Sequence, residues 1–288
     1  MQSLFLILEF LVEVFSSPAS TLTEESNEFM EHSFWFYGFA LFGIILIRYF
    51  LIAGGTHILL HRVFKPLLMR QGLHLKPPVS RSIRRDIRLS IVSAVIFALC
   101  AALIISAYDL GETRLYSNLP QYGWWYLGVS FIAVLVLQDT YFYFIHRLFH
   151  HPLLFKHLHQ GHHRSGDPTP WTSFAFDPLE ALAQALFLVG VVFVIPLHFI
   201  TLLGIIMTMT IWSVINHLGL DHFPPSALRA WLGQFCIGST HHLIHHRRYT
   251  YHYGLYFTFW DKVLGTHDPA YGRLVDANLA SLQDSPRR

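Results

Sequence analysis

Histidines grouped at helical spacing are the residues of this chain best suited to chemistry. Offsets of three and four residues place side chains on one face of a helix, and three clusters in the second half of the chain use these offsets. The clusters are His146 and His150; His159, His162 and His163; and His242, His245 and His246. Imidazole binds zinc, copper, iron and nickel, and eight imidazoles exceed what one ion can hold. The spacing therefore predicts a centre with two metal ions.

Iron is the metal that we favour for this centre. Catalytic zinc typically has three protein ligands, so eight or nine histidines are more than it needs. Copper is less suited, because no cysteine or methionine ligand accompanies the clusters. Two irons with open positions can bind dioxygen, whereas imidazole alone does not exclude zinc from the same site.

Three further residues are candidates for the centre. His217 follows an apolar segment and is either a ninth ligand or a polar helix cap, and Asp221, one turn further on, is either a partner of the metal site or a surface charge. Asp139 lies inside an apolar segment, where a carboxylate is costly and usually functional, and it is about two turns before His146 on the same helix face. Because metal-bound imidazoles usually donate their second N–H to a carboxylate or carbonyl, we predict that Asp139 supports a ligand. Weaker candidates for this role are Asp177, Glu180 and Asp261.

The remaining histidines are predicted to take no direct part in the centre. Those that adjoin the clusters are expected behind the ligands or at the surface: His151, His157, His222, His241 and His252. Those more distant in sequence are expected to be bystanders: His32, His57, His61, His74, His198 and His267.

The composition indicates an integral membrane protein. Hydrophobic residues make up 53% of the chain, charged residues 13%, and the mean hydropathy is +0.40, whereas soluble domains carry roughly a quarter charged residues. The formal net charge is only +2. With no basic face interleaved with polar loops, the chain is not expected to bind nucleic acid.

The apolar segments predict an all-α, polytopic fold with about four transmembrane helices. Single spans are expected at residues 33–53, ending at Gly54 and Gly55, at 87–108 and at 124–145. The apolar run 181–215 is too long for one crossing, and Pro196 is expected to break it into two shorter paired segments at 195–198. Residues 1–15 are predicted to form a short interfacial helix.

The distribution of positive charge predicts where the clusters lie. Residues 62–88 are rich in Lys and Arg, so this loop is expected on the cytoplasmic side. Threading the chain from there places all three clusters and His217 in a histidine-rich cap on that side. The expected organisation is an N-terminal membrane region with two spans and a basic loop (1–123), a catalytic domain (124–270) and a C-terminal tail (271–288).

Around the clusters, the chain resembles the fatty acid hydroxylase and sterol desaturase superfamily, from about Trp124 to Pro269. The matching segments are DTYFYFIHRLFHH (139–151), HLHQGHHRS (157–165), STHHLIHH (239–246) and YHYGLYFTFWDKVLGT (251–266). Within the superfamily, PTPWTSFAFDPLEALAQA (168–185) and PLHF (196–199) are most similar to sterol C-5 desaturases. There are two departures from the family pattern. His252 stands where the family usually has asparagine, and His222 lies one residue off the position where some members carry a histidine.

The resemblance implies a non-haem di-iron centre held by the eight clustered histidines, with His217 at a further ligand position. It also implies a fatty acid hydroxylase-like catalytic domain, dioxygen as co-substrate, and a location in the endoplasmic reticulum of a eukaryote or the inner membrane of a bacterium. The sequence has neither a haem-attachment motif nor a Gly-x-Gly-x-x-Gly fingerprint. Electrons are therefore expected from a partner, either a b-type cytochrome with its reductase or a ferredoxin.

These observations predict an oxidoreductase that uses dioxygen to desaturate or hydroxylate a lipid from the bilayer, with a sterol favoured as substrate. The alternative within the superfamily is a hydroxylase of fatty-acyl or other lipids. A histidine-rich membrane protein that binds or transports metal is the alternative of another class, although it would need ligands along a path through the membrane. A zinc hydrolase would need a motif such as His-Glu-x-x-His, which does not occur.

Overall fold

Helices make up most of the part of the chain that the structure describes. The computed structural model describes residues 24–70, 79–220 and 232–273, with side chains from residue 33 onward in the first range. The α-helices are α1 (Glu24–Tyr49), α2 (Gly55–Ile58), α3 (Lys65–Arg70), α4 (Ser80–Asp109), α5 (Trp124–Phe149), α6 (Pro152–Leu158), α7 (Gln160–His163), α8 (Pro178–Val194), α9 (Phe199–Asn216), α10 (Ser239–Arg248) and α11 (Phe259–Val263). Short 3₁₀ turns cover Leu119–Gln121 and Pro170–Phe174. The predicted all-α class is confirmed, apart from two short strands; the interfacial helix predicted for 1–15 lies outside the described residues.

Four helical stretches are long and apolar enough to cross a membrane, which confirms the predicted number. These stretches are Ser33–Val63, Ser80–Asp109, Trp124–Phe149 and Phe199–Asn216. Helix α8 is also apolar, but at 17 residues it is shorter than the roughly 20 residues that a perpendicular crossing needs.

The chain breaks at Pro196, as predicted. Helix α8 ends at Val194 and α9 begins at Phe199, because proline has no N–H to continue the helical hydrogen bonds. Between the two helices, β2 (Leu197–His198) pairs in parallel with β1 (Leu115–Tyr116). The Nδ1 atom of His198 then accepts the Ile200 N–H at 3.1 Å and caps α9, so this histidine has a structural role.

The prediction that Gly54 and Gly55 end the first span is wrong. The helix continues through a π-helical turn at Phe50–Gly54, the short α2 and a second π-helical turn at Leu59–Val63. Gly54 instead makes room for the Trp171 ring, since a Cβ atom there would lie 2.8 Å from Trp171 Cη2. The glycine serves close packing and does not terminate the helix.

The two N-terminal spans pack directly on the segment that precedes α8. Tyr49 donates its hydroxyl to the Trp171 carbonyl at 2.8 Å, and Ser93 donates to the Phe176 carbonyl at 3.2 Å. Tyr49 and Phe174 also belong to one buried apolar cluster. The spans therefore support the part of the chain that follows the second histidine cluster.

Candidate metal centre

The nine histidines proposed from sequence as ligands come together in two groups. The five-histidine group consists of His146, His150, His159, His163 and His245, and the four-histidine group of His162, His217, His242 and His246. Within each group, one ring nitrogen of every member lies within 4.8 Å of those of the others. All nine side chains are buried except that of His150, which is half-buried.

The ends of several helices bring the imidazole rings of the two groups together. His146 lies in the last turn of α5 and His150 is the residue at its C-cap. His159 joins α6 to α7 with a non-helical φ of −146°, and His217 caps the C-terminus of α9. The third cluster lies on α10. Residues far apart in sequence thus meet because five helices end or pass at the same point.

The ring nitrogens are spaced as ligands of an ion would be. In the five-histidine group, the Nε2–Nε2 distances are 3.0 Å for His146–His159, 3.1 Å for His150–His245 and 3.1 Å for His163–His245. In the four-histidine group, they are 2.9 Å for His217–His242, 3.0 Å for His242–His246 and 3.4 Å for His162–His217. With metal–nitrogen bonds of about 2.1 Å, ligands at right angles lie about 3.0 Å apart and those at tetrahedral angles about 3.4 Å apart.

Backbone carbonyls fix which nitrogen of several rings carries the proton. Nδ1 faces the Tyr253 carbonyl in His146 (3.0 Å) and the Tyr251 carbonyl in His245 (2.7 Å). In the four-histidine group, Nδ1 of His162 faces the Ala175 carbonyl at 3.1 Å and Nδ1 of His217 faces the Ser213 carbonyl at 2.7 Å. A carbonyl only accepts hydrogen bonds, so Nδ1 donates and Nε2 presents a lone pair to its neighbours. Lone pairs that face each other repel unless a cation lies between them, and the donor set therefore fits two metal ions.

Glu180 lies behind His159. The carboxylate Oε1 atom is 2.8 Å from His159 Nδ1, and both side chains are 1% exposed. A buried carboxylate at this position orients the ring and raises its basicity toward a metal. Glu180, one of the three weaker candidates from the sequence, thus has the contact with a ring that we expected of Asp139.

The carboxylate of Asp139 meets the backbone instead of a histidine, which corrects the sequence interpretation. Its Oδ1 accepts the N–H groups of Leu255, Tyr256 and Phe257 at 3.1, 2.7 and 3.1 Å. An ionised carboxylate can accept several such bonds, and buried N–H groups need acceptors. Asp139 therefore anchors the loop after α10, which presents the Tyr251 and Tyr253 carbonyls to two of the rings. Asp221 lies outside the described residues.

Asp261 holds the other half of the same loop. It accepts the N–H groups of Tyr253 and Gly254 at 2.9 and 3.0 Å and the Thr266 hydroxyl at 2.7 Å. Tyr253 in turn presents its carbonyl to His146. The sequence indicated Asp261 as a weaker candidate for support of a ligand, but not the route through the Tyr253 carbonyl, because backbone carbonyls carry no signal in residue type.

Burial keeps the imidazoles neutral. Loss of solvent contact lowers the pKa of His162 to about 4, and it lowers the pKa values of His150 and His217 to about 3. Neutral imidazole is the form that binds metal. At pH 7 these rings therefore have lone pairs available without the loss of a proton.

A cavity of about 970 Å³ beside the centre is lined by five arginines. The arginines are Arg81, Arg84, Arg85 and Arg88 of α4, and Arg164 after α7. The four on α4 share one helix face, since their offsets are three, four and seven residues. Arg85 contacts the buried Asp86 at 3.4 Å, whereas the other four are exposed and have no ion pair with a carboxylate in the described ranges. We call this surface the arginine cleft.

Comparisons with known proteins agree with the geometry. The profile of the fatty acid hydroxylase family matches residues 131–266. Lathosterol oxidase of Rattus norvegicus is 35% identical over 210 residues, which cover 71% of this chain and 66% of the relative. A Delta(7)-sterol 5(6)-desaturase of Aspergillus fumigatus is 30% identical over 218 residues, which cover 68% of this chain and 67% of the relative. The chain belongs to the fatty acid hydroxylase family.

The family match contains all nine histidines of the two groups. A further relative in this family, a Delta(7)-sterol 5(6)-desaturase of Gibberella zeae, is 32% identical over 191 residues, which cover 65% of this chain and 58% of that protein. The chain thus spans about two thirds or less of the length of these relatives. No solved structure matches it. The predicted resemblance, including the similarity to sterol C-5 desaturases, is confirmed.

Proposed function

We propose that this protein is a membrane-bound oxidoreductase that uses dioxygen and two iron ions to desaturate or hydroxylate a lipid. The observation that carries the proposal is the pair of histidine groups, whose Nε2 atoms face one another at 2.9–3.4 Å next to the ends of membrane-length helices. Two irons in these groups would supply the binding and activation of dioxygen.

The residues of the chain have separate tasks in this proposal. The five-histidine group and the four-histidine group each hold one ion. The carbonyls of Tyr251 and Tyr253 and the carboxylate of Glu180 fix the ring orientation. Phe176 stacks on His162 with ring centroids 5.4 Å apart and excludes water from that side. A dry, preorganised site suits an oxidation that must avoid side reactions.

The similarity to these relatives supports a sterol as the substrate and desaturation as the reaction. Both points rest on the similarity to proteins named lathosterol oxidase and Delta(7)-sterol 5(6)-desaturase. Hydroxylation of a fatty-acyl or other lipid is the alternative, because the same histidines serve either reaction and the family profile is that of fatty acid hydroxylases.

We further propose that electrons come from an acidic carrier protein that docks on the arginine cleft. The cleft includes Arg164 and Ser165, directly after the second histidine cluster, and Leu218 and Gly219, directly after His217. A positive surface attracts an acidic partner and accelerates its association. A b-type cytochrome or a ferredoxin fits this requirement, and the cleft is expected on the cytoplasmic side.

The function can be tested with ligand variants of the full chain in membranes. His162→Ala and His245→Ala each remove one ring from a different group, and we expect lipid oxidation to fall to background while both variants remain inserted in the membrane. His157→Ala is the matched control, because His157 is exposed. The measurement compares sterol and fatty-acyl profiles, with and without dioxygen.

Full oxidation by either ligand variant, or activity that is unchanged without dioxygen, would contradict the proposal. A change in fatty-acyl profile with an unchanged sterol profile would support the alternative substrate. Metal uptake into vesicles without lipid oxidation would support the transport function instead.

A further inference from the structure

Three histidines outside the two groups form a third group of their own. One ring nitrogen each of His241, His252 and His267 lies within 4.8 Å of the other two. The ring centroids are 4.8 Å apart for His241–His252, 4.9 Å for His252–His267 and 6.0 Å for His241–His267. No spacing pattern in the sequence indicates this group, because its members come from three separate segments.

Two ring nitrogens of the third group are buried without a well-formed hydrogen bond. His241 and His252 are 2% and 0% exposed. His252 Nδ1 has no hydrogen-bond partner, and His241 Nε2 makes no hydrogen bond of good geometry, although the Gly233 backbone carbonyl lies close to the His241 ring. Burying a polar atom without a partner costs free energy, and such atoms in folded proteins usually belong to water or ion sites. The two nitrogens therefore indicate a ligand.

The backbone at His252 is unusual as well. Its φ of +58° lies in the left-handed region, where residues other than glycine are uncommon and histidine, asparagine and aspartate are enriched. At this position, the His252 ring packs against the ring of His241 on α10.

We propose that His241, His252 and His267 form a third, mononuclear cation site, separate from the two-metal centre, for a divalent ion that prefers imidazole, with zinc as the first candidate. Three imidazoles and one open position occupied by water make a tetrahedral zinc environment. The site uses no thiolate or carboxylate, so it discriminates against magnesium and calcium.

Binding of the ion requires a shift of the ring proton. The outer nitrogens, His241 Nδ1 and His252 Nε2, face the N–H groups of Gly238 at 3.3 Å and Asp268 at 3.4 Å. These contacts are longer than the usual 2.9–3.0 Å. When the inner nitrogen gives its lone pair to the ion, the ring proton moves to the outer nitrogen and the long contact is lost. Each ring keeps one proton.

An ion at this site would join three segments around the two-metal centre. His241 is on α10 next to His242, His252 is in the loop that presents carbonyls to His146 and His245, and His267 follows α11. The ion would tie α10 to the loop and to the residue that follows α11. This cross-link does not depend on the oxidation proposed above.

The metal content of the purified full-length protein tests the site. We expect zinc-loaded protein to hold one more ion per chain than either His252→Asn or His267→Gln. Asparagine is suited to position 252 because it tolerates a positive φ. His157→Asn removes an exposed histidine and is the matched control, which should hold as many ions as the unaltered chain.

A second measurement does not depend on counting the ions per chain. Zinc added to protein whose two-metal centre is already filled should raise the midpoint of thermal unfolding, because a ligand that binds only the folded state stabilises it. His252→Asn and His267→Gln should show no such rise. The proposal is overturned if both variants hold as many ions as the unaltered chain, or if zinc raises their midpoint by the same amount.

Discussion

At the scale of single residues, the group behind each imidazole decides what the ring can do. Carbonyls of Tyr251, Tyr253, Ala175 and Ser213 face Nδ1 of four rings, whereas a carboxylate, Glu180, faces His159. Burial raises the pKa of Glu180, and metal ions in the centre would favour its ionised form. In that form it holds the ring more strongly than a carbonyl does and pushes electron density toward Nε2. Glu180 is therefore the single orienting side chain with the largest expected effect.

Replacement of Glu180 by glutamine tests this role. Glu180→Gln keeps the length of the side chain but removes the negative charge next to His159, so we expect a loss of about 10- to 100-fold in metal affinity or activity. The measurement is the iron content of the purified protein together with lipid oxidation at saturating substrate. Glu112→Gln, at an exposed acid, is the control. Equal iron affinity in Glu180→Gln and the unaltered chain would show that Glu180 does not tune the ligand.

At the scale of elements, the helix ends and the short connections between them position the histidines. Asp177 precedes α8 and its Oδ2 accepts the Gly161 N–H of α7 at 2.6 Å, which ties the second histidine cluster to the start of α8. The contact is so close that a Cβ atom on residue 161 would overlap the Asp177 carboxylate. A glycine at position 161 therefore allows the Asp177 side chain at the start of α8 to approach the backbone of α7.

An alanine at position 161 should break the contact between these elements. In Gly161→Ala, the Asp177 carboxylate must move away and its bond with the N–H of residue 161 is lost. We expect a loss of about 1–3 kcal/mol of stability together with lower iron content, because His159, His162 and His163 surround the substitution. Gly166→Ala is the matched control, since nothing lies within 4 Å of a Cβ atom there, and it should change stability by less than about 0.5 kcal/mol. The measurement is the midpoint of thermal unfolding. Equal midpoints for the two variants would contradict the close approach.

At the scale of the whole molecule, the exposed apolar side chains and the clustered arginines lie on different parts of the surface. Spans carry exposed apolar side chains such as Phe39, Ile47 and Leu51, which suits a lipid environment. The arginine cleft lies at the end where α4 begins, beside the segments that follow the second cluster and His217. Arg114 lies beyond the other end of α4 and donates to the Phe193 carbonyl. The proposed docking surface is therefore confined to one end of the molecule.

Charge reversal in the cleft tests the proposed docking of an electron carrier. Arg84→Glu combined with Arg88→Glu should slow reduction of the enzyme at least about tenfold at low ionic strength, and should weaken the salt dependence of the rate, because steering of an acidic partner is electrostatic. Arg114→Glu is the control at the opposite end of α4. The measurement is the rate of reduction by the reduced soluble domain of a b-type cytochrome and, separately, by a reduced ferredoxin. Unchanged rates with both carriers in the double variant would exclude this surface.

The sequence by itself determined the features that are local in the chain. Offsets of three and four residues singled out eight histidines, and the position after an apolar segment added His217 as a ninth candidate. Apolar runs indicated the four spans, and Pro196 indicated the break between α8 and α9. The predictions of the spans and of the break succeeded because helical periodicity and the missing proline N–H act over a few residues. The prediction that Gly54 ends the first span failed because the role of this glycine is not local. The ring that needs the space beside it belongs to Trp171, which is far away in sequence.

Only the tertiary structure decided how the histidines are divided. His162 and His163 are neighbours, yet they belong to different groups, and His245 joins the five-histidine group while His242 and His246 join the other. Consecutive side chains on a helix point about 100° apart, so the partner of each ring depends on which helices pack around it. Tertiary contacts also decide which backbone carbonyls face the rings, and they bring His241, His252 and His267 together. These contacts join segments that no local pattern in the sequence connects.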